Sequence, residues 1–155
     1  MPYFVVHEHH SKKLHYDFRL EMGGVLKSWA VPKGPSMSYG DKRLAIMVDD
    51  HPLDYGTFEG IIPEGYYGAG PVLIWDSGEY ELIGNDMLKG HIEFSLKGKK
   101  LQGVFVLTRL KGKEKKWLLI KKKDAYAHSF YIIEPELTDG RLRSLREKVP
   151  PCDTE

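Results

Sequence analysis

The chain has 155 residues, of which 41% are hydrophobic and 29% are charged, with a formal net charge of +1. These values are typical of one folded domain, and they exclude bulk disorder and a chain whose charge alone would mark it as a nucleic-acid binder. It has no apolar run of the roughly 18 residues that a membrane span needs, no signal-peptide pattern at its start and one cysteine, Cys152, so a cytoplasmic protein without an intrachain disulfide is expected.

The predicted elements are mostly strands. In chain order, β-rich or alternating segments are "YFVVHEH", "LHYDFRLE", "VLKSWAVP" and "RLAIMV". "PVLIWDSGEYEL" predicts a hairpin with Asp76-Ser77-Gly78 as its turn, and "HIEFSLKGKKLQGVFVLTRLKGKEKKWLLIKK" predicts a three-stranded meander. "NDMLKG" favours a turn, and "GRLRSLREKV" favours a short helix. The pattern predicts a mainly β, compact single-domain β-barrel with short flanking helices over residues 1–149, followed by a flexible tail, 150–155.

Two further stretches stand out. Lysines crowd between residues 97 and 123, where they either face phosphates or simply solubilise turns and sheet edges, and the second interpretation is the simpler one for most of them. The segment "DDHPLDYGTFEGIIPEGYYGAG", residues 49–70, is irregular and rich in glycine and aromatic residues. Long ordered loops on a β scaffold often carry function, but composition equally allows a loop that only covers one end of the barrel.

The alternating strand that begins at Leu14 has two contrasting faces. Residues two apart in a strand point to the same side. One face is apolar and must pack into the core, with Leu14, Tyr16, Phe18 and Leu20. The other face is polar, with His15, Asp17, Arg19 and Glu21.

The polar face has the residue types of a metal site. His15 and Asp17 are preferred ligands of first-row metals and lie about 7 Å apart along a strand. His9, beyond the bend predicted at "HSKK", is a candidate third ligand. Arg19 beside a metal ion would be costly unless an anion bridges the two cations, which indicates a phosphate-bearing substrate. His7 and His10 are interpreted as exposed or supporting histidines, and Glu21 as a supporting carboxylate.

The chain resembles a known family at this point. "HHSKKLHYDFRLE", "LKSWAVPKGPS", "RLAIMVDDHPLDYGTFEGIIPEGYYGAG" and "VLIWDSGEY" together resemble the 3'-phosphoesterase domain of bacterial DNA ligase D and its stand-alone relatives. The likeness runs from about Phe4 to "WLLIKKKDAYA". It implies a β-barrel that uses Mn²⁺ to remove a 3'-terminal ribonucleoside and then the remaining 3'-phosphate.

The resemblance also implies roles for individual residues. The metal ligands of the family fall on His9, His15 and Asp17, and Co²⁺ or Zn²⁺ would suit the same ligands. The residues that contact phosphate fall on Arg19, Lys33, Arg43, His51 and Tyr55. Of these, Arg19, His51 and Tyr55 are expected to act at the scissile phosphate, with His51 as transition-state stabiliser or general acid.

The expected partner is the 3' end of a nucleic acid, such as primer-template DNA that ends in a ribonucleotide or a 3'-phosphate, with a separate DNA ligase or polymerase as a further partner and no membrane. In the family, an arm upstream of the first ligand contributes to nucleoside removal. Only eight residues precede His9 here, so phosphate removal is expected to be retained more fully than nucleoside removal.

Two other functions remain open on the residues alone. His15, Asp17 and a distant histidine such as His51 also form the facial triad of non-haem iron oxygenases, although Arg19 suits phosphate better than a keto acid. Alternatively, a non-catalytic barrel would bind single strands by stacking bases on Tyr66, Tyr67, Trp75 and Trp117, which leaves the histidine cluster unexplained.

Overall fold

The computed structural model describes residues 1–151. Its strands are β1 (Tyr3–His10), β2 (Leu14–Met22), β3 (Val25–Val31), β4 (Lys42–His51), β5 (Gly60–Ile62), β6 (Gly70–Asp86), β7 (His91–Lys97), β8 (Gln102–Arg109) and β9 (Lys116–Lys121). A short 3₁₀ helix spans Leu53–Thr57, and one α-helix, α1, spans Asp139–Ser144. Within residues 1–151, no helix is long and apolar enough to cross a membrane.

Eight of these strands form a closed antiparallel barrel. The hydrogen-bonded order is β1-β2-β3-β4-β9-β8-β7-β6, and β6 also pairs with β1, which closes the ring. The short β5 lies on β6 outside this ring. The predicted mainly β barrel is therefore confirmed, as are the meander of β7, β8 and β9 and the short helix near the carboxyl end.

Alternation along the strands builds the core. The apolar face of β2 points into the barrel, where Tyr16, Phe18 and Leu20 are at most 2% exposed. The prediction for Leu14 is wrong: this first residue of the strand is 37% exposed. Phe18 stacks on Phe94 of β7 with ring centroids 5.8 Å apart, and β3 and β9 contribute Trp29 and Trp117 to the same core. Trp75 belongs to this core too, so neither it nor Trp117 presents a surface for stacking bases.

The predicted hairpin turn at Asp76-Ser77-Gly78 is wrong, because β6 runs through it without a break. Asp76 and Gly78 instead allow β6 to pack closely against the turn between β7 and β8. The Asp76 carboxylate accepts hydrogen bonds from the backbone N–H groups of residues 99–101 in the β7–β8 turn, at 2.7–3.0 Å. A Cβ at Gly78 would lie 2.3 Å from the Lys97 carbonyl oxygen, so the strand needs glycine where it approaches that turn.

A second, smaller apolar cluster lies outside the barrel wall. It forms where residues 52–69, here called the covering segment, pack on the outer faces of β3 and β6, and its members are Leu26, Tyr55, Phe58, Ile62 and Val72. Three side chains on one face of β1 hold the segment. They are Tyr3, His7 and His9, which bond to the carbonyl oxygens of Leu53, Phe58 and Gly68. The covering segment therefore lies against the side of the barrel, over the polar face of β1 and β2.

The lysine-rich stretches follow the turns of the meander and the end of β9. Lys121 is the exception: it is 1% exposed, and its ammonium donates to Asp124 at 2.7 Å and to two backbone carbonyls. Its role is to hold the chain that leaves β9. The predicted tail begins at residue 150, and residues 152–155 with Cys152 lie outside the described part of the chain.

Candidate metal centre

The β1–β2 hairpin brings three candidate ligands together. His9 is paired directly opposite His15, and Asp17 lies two residues further along β2 on the same face. One ligand atom from each of the three residues lies within 4.8 Å of the others. The rings of His9 and His15 are 4.8 Å apart between centroids. The bend predicted at "HSKK" is present, and it makes this pairing.

Backbone carbonyls fix which nitrogen of each histidine faces the centre. His9 donates from Nε2 to the Gly68 carbonyl at 2.6 Å, and His15 donates from Nδ1 to the Lys13 carbonyl at 3.2 Å. The remaining nitrogens, Nδ1 of His9 and Nε2 of His15, lie 3.4 Å and 3.3 Å from the two oxygens of Asp17. A neutral histidine presents a lone pair at the nitrogen that does not donate.

This arrangement could hold a metal ion. Lone pairs on two nitrogens and on a carboxylate converge, and Asp17 is only 6% exposed. Burial lowers the pKa of His15, but the hydrogen bond and charge of Asp17 outweigh burial and raise it. Burial raises the pKa of Asp17, yet His15, His9 and Arg19 together hold it well below its usual range. The carboxylate is therefore ionised and ready to bind a metal.

The donor set fits a divalent transition metal. Two imidazole nitrogens and one carboxylate oxygen are common ligands of manganese, iron, cobalt and zinc. Each histidine also donates its other N–H to a carbonyl, which is the supporting bond that orients most metal-binding histidines. His51, the third ligand of the iron-oxygenase alternative, is not in this group among the described residues.

Arg19 is buried beside the three candidate ligands, with 2% of its surface exposed. Its guanidinium donates to His7 Nδ1 at 3.0 Å, to Ser28 Oγ at 2.9 Å and to Asp17 Oδ2 at 3.4 Å. Its Cζ lies 4.7 Å from the centroid of the Tyr55 ring. A positive charge is thus fixed next to the carboxylate, at Oδ2, the oxygen that also faces His9.

His7 has a larger role than the sequence suggested. It is fully buried, donates from Nε2 to the Phe58 carbonyl at 3.1 Å, and accepts from Arg19 at its other nitrogen. Acceptance at Nδ1 requires the neutral ring, because a protonated histidine donates from both nitrogens. Burial, and then the charge of Arg19, lower the pKa of His7 to about 3. Its place on the face of His9 is readable from the alternation, but its bond to Arg19 depends on the pairing of β1 with β2.

The end of β4 and the covering segment that follows it bring His51 and Tyr55 next to Arg19. The two rings are 4.8 Å apart between centroids, and Tyr55 also contacts His7 at 5.1 Å. His51 donates from Nδ1 to the Asp49 carbonyl at 2.9 Å, so its Nε2 carries a lone pair when the ring is neutral. Burial, and then the charge of Arg19, lower the pKa of His51 to about 4.

Other residues named from the sequence lie further from this cluster. Lys33 is exposed just after β3, at the barrel end where β2 begins, because Val31 pairs with Tyr16. Arg43 lies on the face of β4 that carries the core residue Ala45, and it pairs with Asp41 at 3.6 Å. Glu21 accepts a hydrogen bond from the backbone N–H of Tyr3 at 3.0 Å and does not support the ligands.

Comparison with known proteins now identifies the family. Residues 7–109 match the family described as the DNA Ligase D 3'-phosphoesterase domain. The chain belongs to this family. All eight residues that the sequence nominated for the site fall within the matched range, and so do His7 and the covering segment.

The similar curated proteins are much longer than this chain. It is 51% identical over 131 residues to the multifunctional non-homologous end joining protein LigD of Pseudomonas aeruginosa, which covers 81% of the chain and 16% of that protein. It is 45% identical over 149 residues to the LigD protein of Mycobacterium bovis, covering 92% of the chain and 19% of that protein. The chain thus spans less than a fifth of the length of these relatives.

Proposed function

We propose that the chain is a Mn²⁺-dependent 3'-end-healing phosphoesterase, which removes a 3'-terminal ribonucleoside and then the 3'-phosphate to leave a 3'-hydroxyl for repair. The observation that carries the proposal is the convergence of His9, His15 and Asp17 beside the buried Arg19, in a chain of the ligase D 3'-phosphoesterase family. The names of its relatives support a role in DNA end joining.

His9, His15 and Asp17 would hold the metal. When bound, such an ion supplies Lewis-acid polarisation of a phosphate and acidification of water at neutral pH. The supporting bonds to the carbonyls of Gly68 and Lys13 keep both imidazoles aimed at the centre. Mn²⁺ is the metal proposed, and Co²⁺ and Zn²⁺ fit the same ligands.

Arg19 would stabilise the charge that develops on the phosphate. Its hydrogen bonds to His7, Ser28 and Asp17 fix the guanidinium before a substrate arrives, so little reorganisation is needed during the reaction. Lys33 and Arg43, both at the barrel end where β2 begins, are proposed as further phosphate contacts.

His51 and Tyr55 would act on the same phosphate. A pKa of about 4 makes His51 neutral at pH 7 in the free protein. A nearby anionic phosphate raises the pKa of a histidine, and the protonated His51 then donates to the leaving oxygen or stabilises the transition state. Tyr55, which packs on both His51 and Arg19, would position the phosphate through its hydroxyl.

The experiment uses two labelled primer-templates, one ending in a single 3'-ribonucleotide and one ending in a 3'-phosphate. Each is incubated with the protein and Mn²⁺ or EDTA, and the products are resolved on a sequencing gel. Mn²⁺-dependent shortening followed by phosphate loss is the expected result. Phosphate loss alone would limit the function to a phosphomonoesterase. If both substrates stayed unchanged, the proposed function would be contradicted. Adding a DNA ligase to the healed product tests whether the new 3'-hydroxyl is usable by a separate repair enzyme.

A further inference from the structure

Tyr67 is an exposed aromatic residue at the edge of the candidate metal centre. Its surface is 90% exposed, whereas the neighbouring Tyr66 is 37% exposed. It lies in the covering segment, one residue before Gly68, whose carbonyl accepts the hydrogen bond from His9. A large aromatic ring is thus presented to solvent one residue away from a contact of a candidate ligand.

The backbone around Tyr67 is held in tight turns. Tyr66 N–H donates to the Pro63 carbonyl at 3.3 Å, and Ala69 N–H donates to the Tyr66 carbonyl at 3.2 Å. Gly68 has a φ of 75°, and a Cβ there would lie 2.9 Å from Cε1 of His9. Only glycine permits both the turn and the close approach to His9. The contact between Gly68 and His9 therefore orients the candidate ligand His9 and also fixes the position of the neighbouring Tyr67 on the surface.

We propose that Tyr67 stacks on the base of the terminal nucleotide, the one whose 3'-phosphate occupies the site; this inference rests on the proposed function. The 3'-phosphate and the base belong to one nucleoside, so a phosphate at the centre brings that base to the rim of the same site. An exposed aromatic ring binds a base face to face, and all four bases offer such a face.

The proposal makes two statements about the substrate. The protein requires a base at the terminal position but has little preference among the four bases, because stacking carries no hydrogen-bond readout. The terminal base must also leave its own stack to reach Tyr67, so a frayed or single-stranded end is a better substrate than a fully paired one.

A cycle of two proteins and two substrates tests the contact. Wild type and Tyr67→Ala are each given a single-stranded 3'-phosphate oligonucleotide with either a normal terminal base or an abasic tetrahydrofuran residue, and kcat/KM is measured with Mn²⁺. Loss of either partner is expected to lower kcat/KM roughly ten- to a hundredfold, the range that stacking of one base accounts for. Loss of both is expected to cost no more than loss of one. Tyr67→Phe retains the ring and is expected to behave as wild type.

Phe130→Ala is the matched control, since Phe130 is also an exposed aromatic residue, at 75%. It is expected to leave kcat/KM unchanged for both substrates. Equal loss of kcat/KM by Tyr67→Ala on normal and abasic substrates would overturn the proposal, and so would no loss at all.

A second readout is independent of turnover. An oligonucleotide with 2-aminopurine as its terminal base is titrated with protein in EDTA, and its fluorescence should be quenched by wild type and Tyr67→Phe but not by Tyr67→Ala. Quenching without turnover in wild type would contradict the proposed function alone, while turnover without quenching would contradict only the role of Tyr67.

Discussion

The outer faces of β2 and β7 have similar alternating polar patterns but different surroundings. On β7, His91 is exposed, and Glu93 and Ser95 are partly exposed. On β2, Asp17 and Arg19 are 6% and 2% exposed. Polar residues on the outside of a barrel normally remain in water, which is the arrangement on β7.

The covering segment makes the difference. It packs over β1 and β2 and removes their polar residues from water, which costs free energy unless each group is hydrogen-bonded. On β2 the bonds are present: the carboxylate of Asp17 faces two histidines and Arg19, and Arg19 has three acceptors. A buried polar cluster whose groups are hydrogen-bonded is rigid and holds a defined geometry. That rigidity distinguishes the polar face of β2 from the solvated face of β7.

Removing a ligand should give the largest effect. His15→Ala leaves one imidazole and one carboxylate, so we expect Mn²⁺ binding to weaken by at least about a hundredfold, the upper end of the cost of losing even an outer-shell partner. Phosphate release from a 3'-phosphate oligonucleotide should be lost with it. Calorimetric titration with Mn²⁺ and the gel assay measure the two effects. His91→Ala on β7 is the control, and near-normal turnover in His15→Ala would exclude this histidine as a ligand.

Removing the buried guanidinium should be the next largest effect. Arg19→Met keeps much of the volume but leaves Asp17, His7 and Ser28 without their donor. Breaking a buried ion pair in this way costs about 3–5 kcal/mol, to be measured as the free energy of unfolding in urea.

A surface ion pair on β7 provides the comparison for Arg19. Glu93→Gln removes the ion pair between Glu93 Oε2 and Lys122 Nζ, which are 3.6 Å apart. It should lower the free energy of unfolding by less than about 1 kcal/mol. Equal losses in the two variants would mean that burial by the covering segment adds nothing to the interaction of Arg19.

The strand-level features of this fold were predictable because they are local. Alternation from Leu14 onward shows which residues of β2 face the core, and the grouping of His9, His15 and Asp17 follows from one hairpin. The prediction of a turn at Asp76 was wrong because the Asp76 carboxylate accepts hydrogen bonds from a turn more than twenty residues later. A local sequence pattern does not contain such a long-range contact. Alternation also does not say which face of β4 is inside, so it did not reveal that Arg43 lies on the core side.

Burial by the covering segment was also outside the reach of the sequence. Composition allowed either a functional loop or a structural cover, and the segment is both: it carries Tyr55 and packs Phe58 into the outer cluster. The role of His7 depends on two contacts at once, one with Arg19 across the β1–β2 pairing and one with the Phe58 carbonyl. The sequence signal for this role is the position of His7 two residues before the candidate ligand His9.

His7 offers a smaller and more selective test. His7→Ala removes the acceptor for Arg19 Nε. It should lower the free energy of unfolding by about 1–3 kcal/mol, the penalty for an unsatisfied buried donor, and it should lower kcat/KM because Arg19 is no longer held in position. His7→Asn places a carbonyl oxygen near the position of Nδ1 and should recover most of the lost kcat/KM. Equal activities of the Ala and Asn variants would show that His7 only fills space and does not position Arg19.

The smallest expected effect is the change of stability with pH that comes from protonation of His51. NMR titration of the His51 ring can follow this protonation. Its pKa of about 4 lies below the ordinary 6.5 because of burial and then Arg19. The unfolded chain therefore binds a proton here between pH 6.5 and 4 that the folded chain does not. The stability that neutral His51 contributes is fully present above pH 6.5 and is lost as the pH falls through this window.

The same titration separates the two causes of the shift and tests the role of His51. Arg19→Met removes the repelling charge but not the burial, so the midpoint should rise from about 4 and remain below 6.5. In wild type, a bound 3'-phosphate nucleotide should also raise the midpoint, since its anion favours the imidazolium. A midpoint that the nucleotide leaves unchanged would restrict His51 to hydrogen bonding as a neutral ring, and the proton for the leaving oxygen would then have to come from another donor.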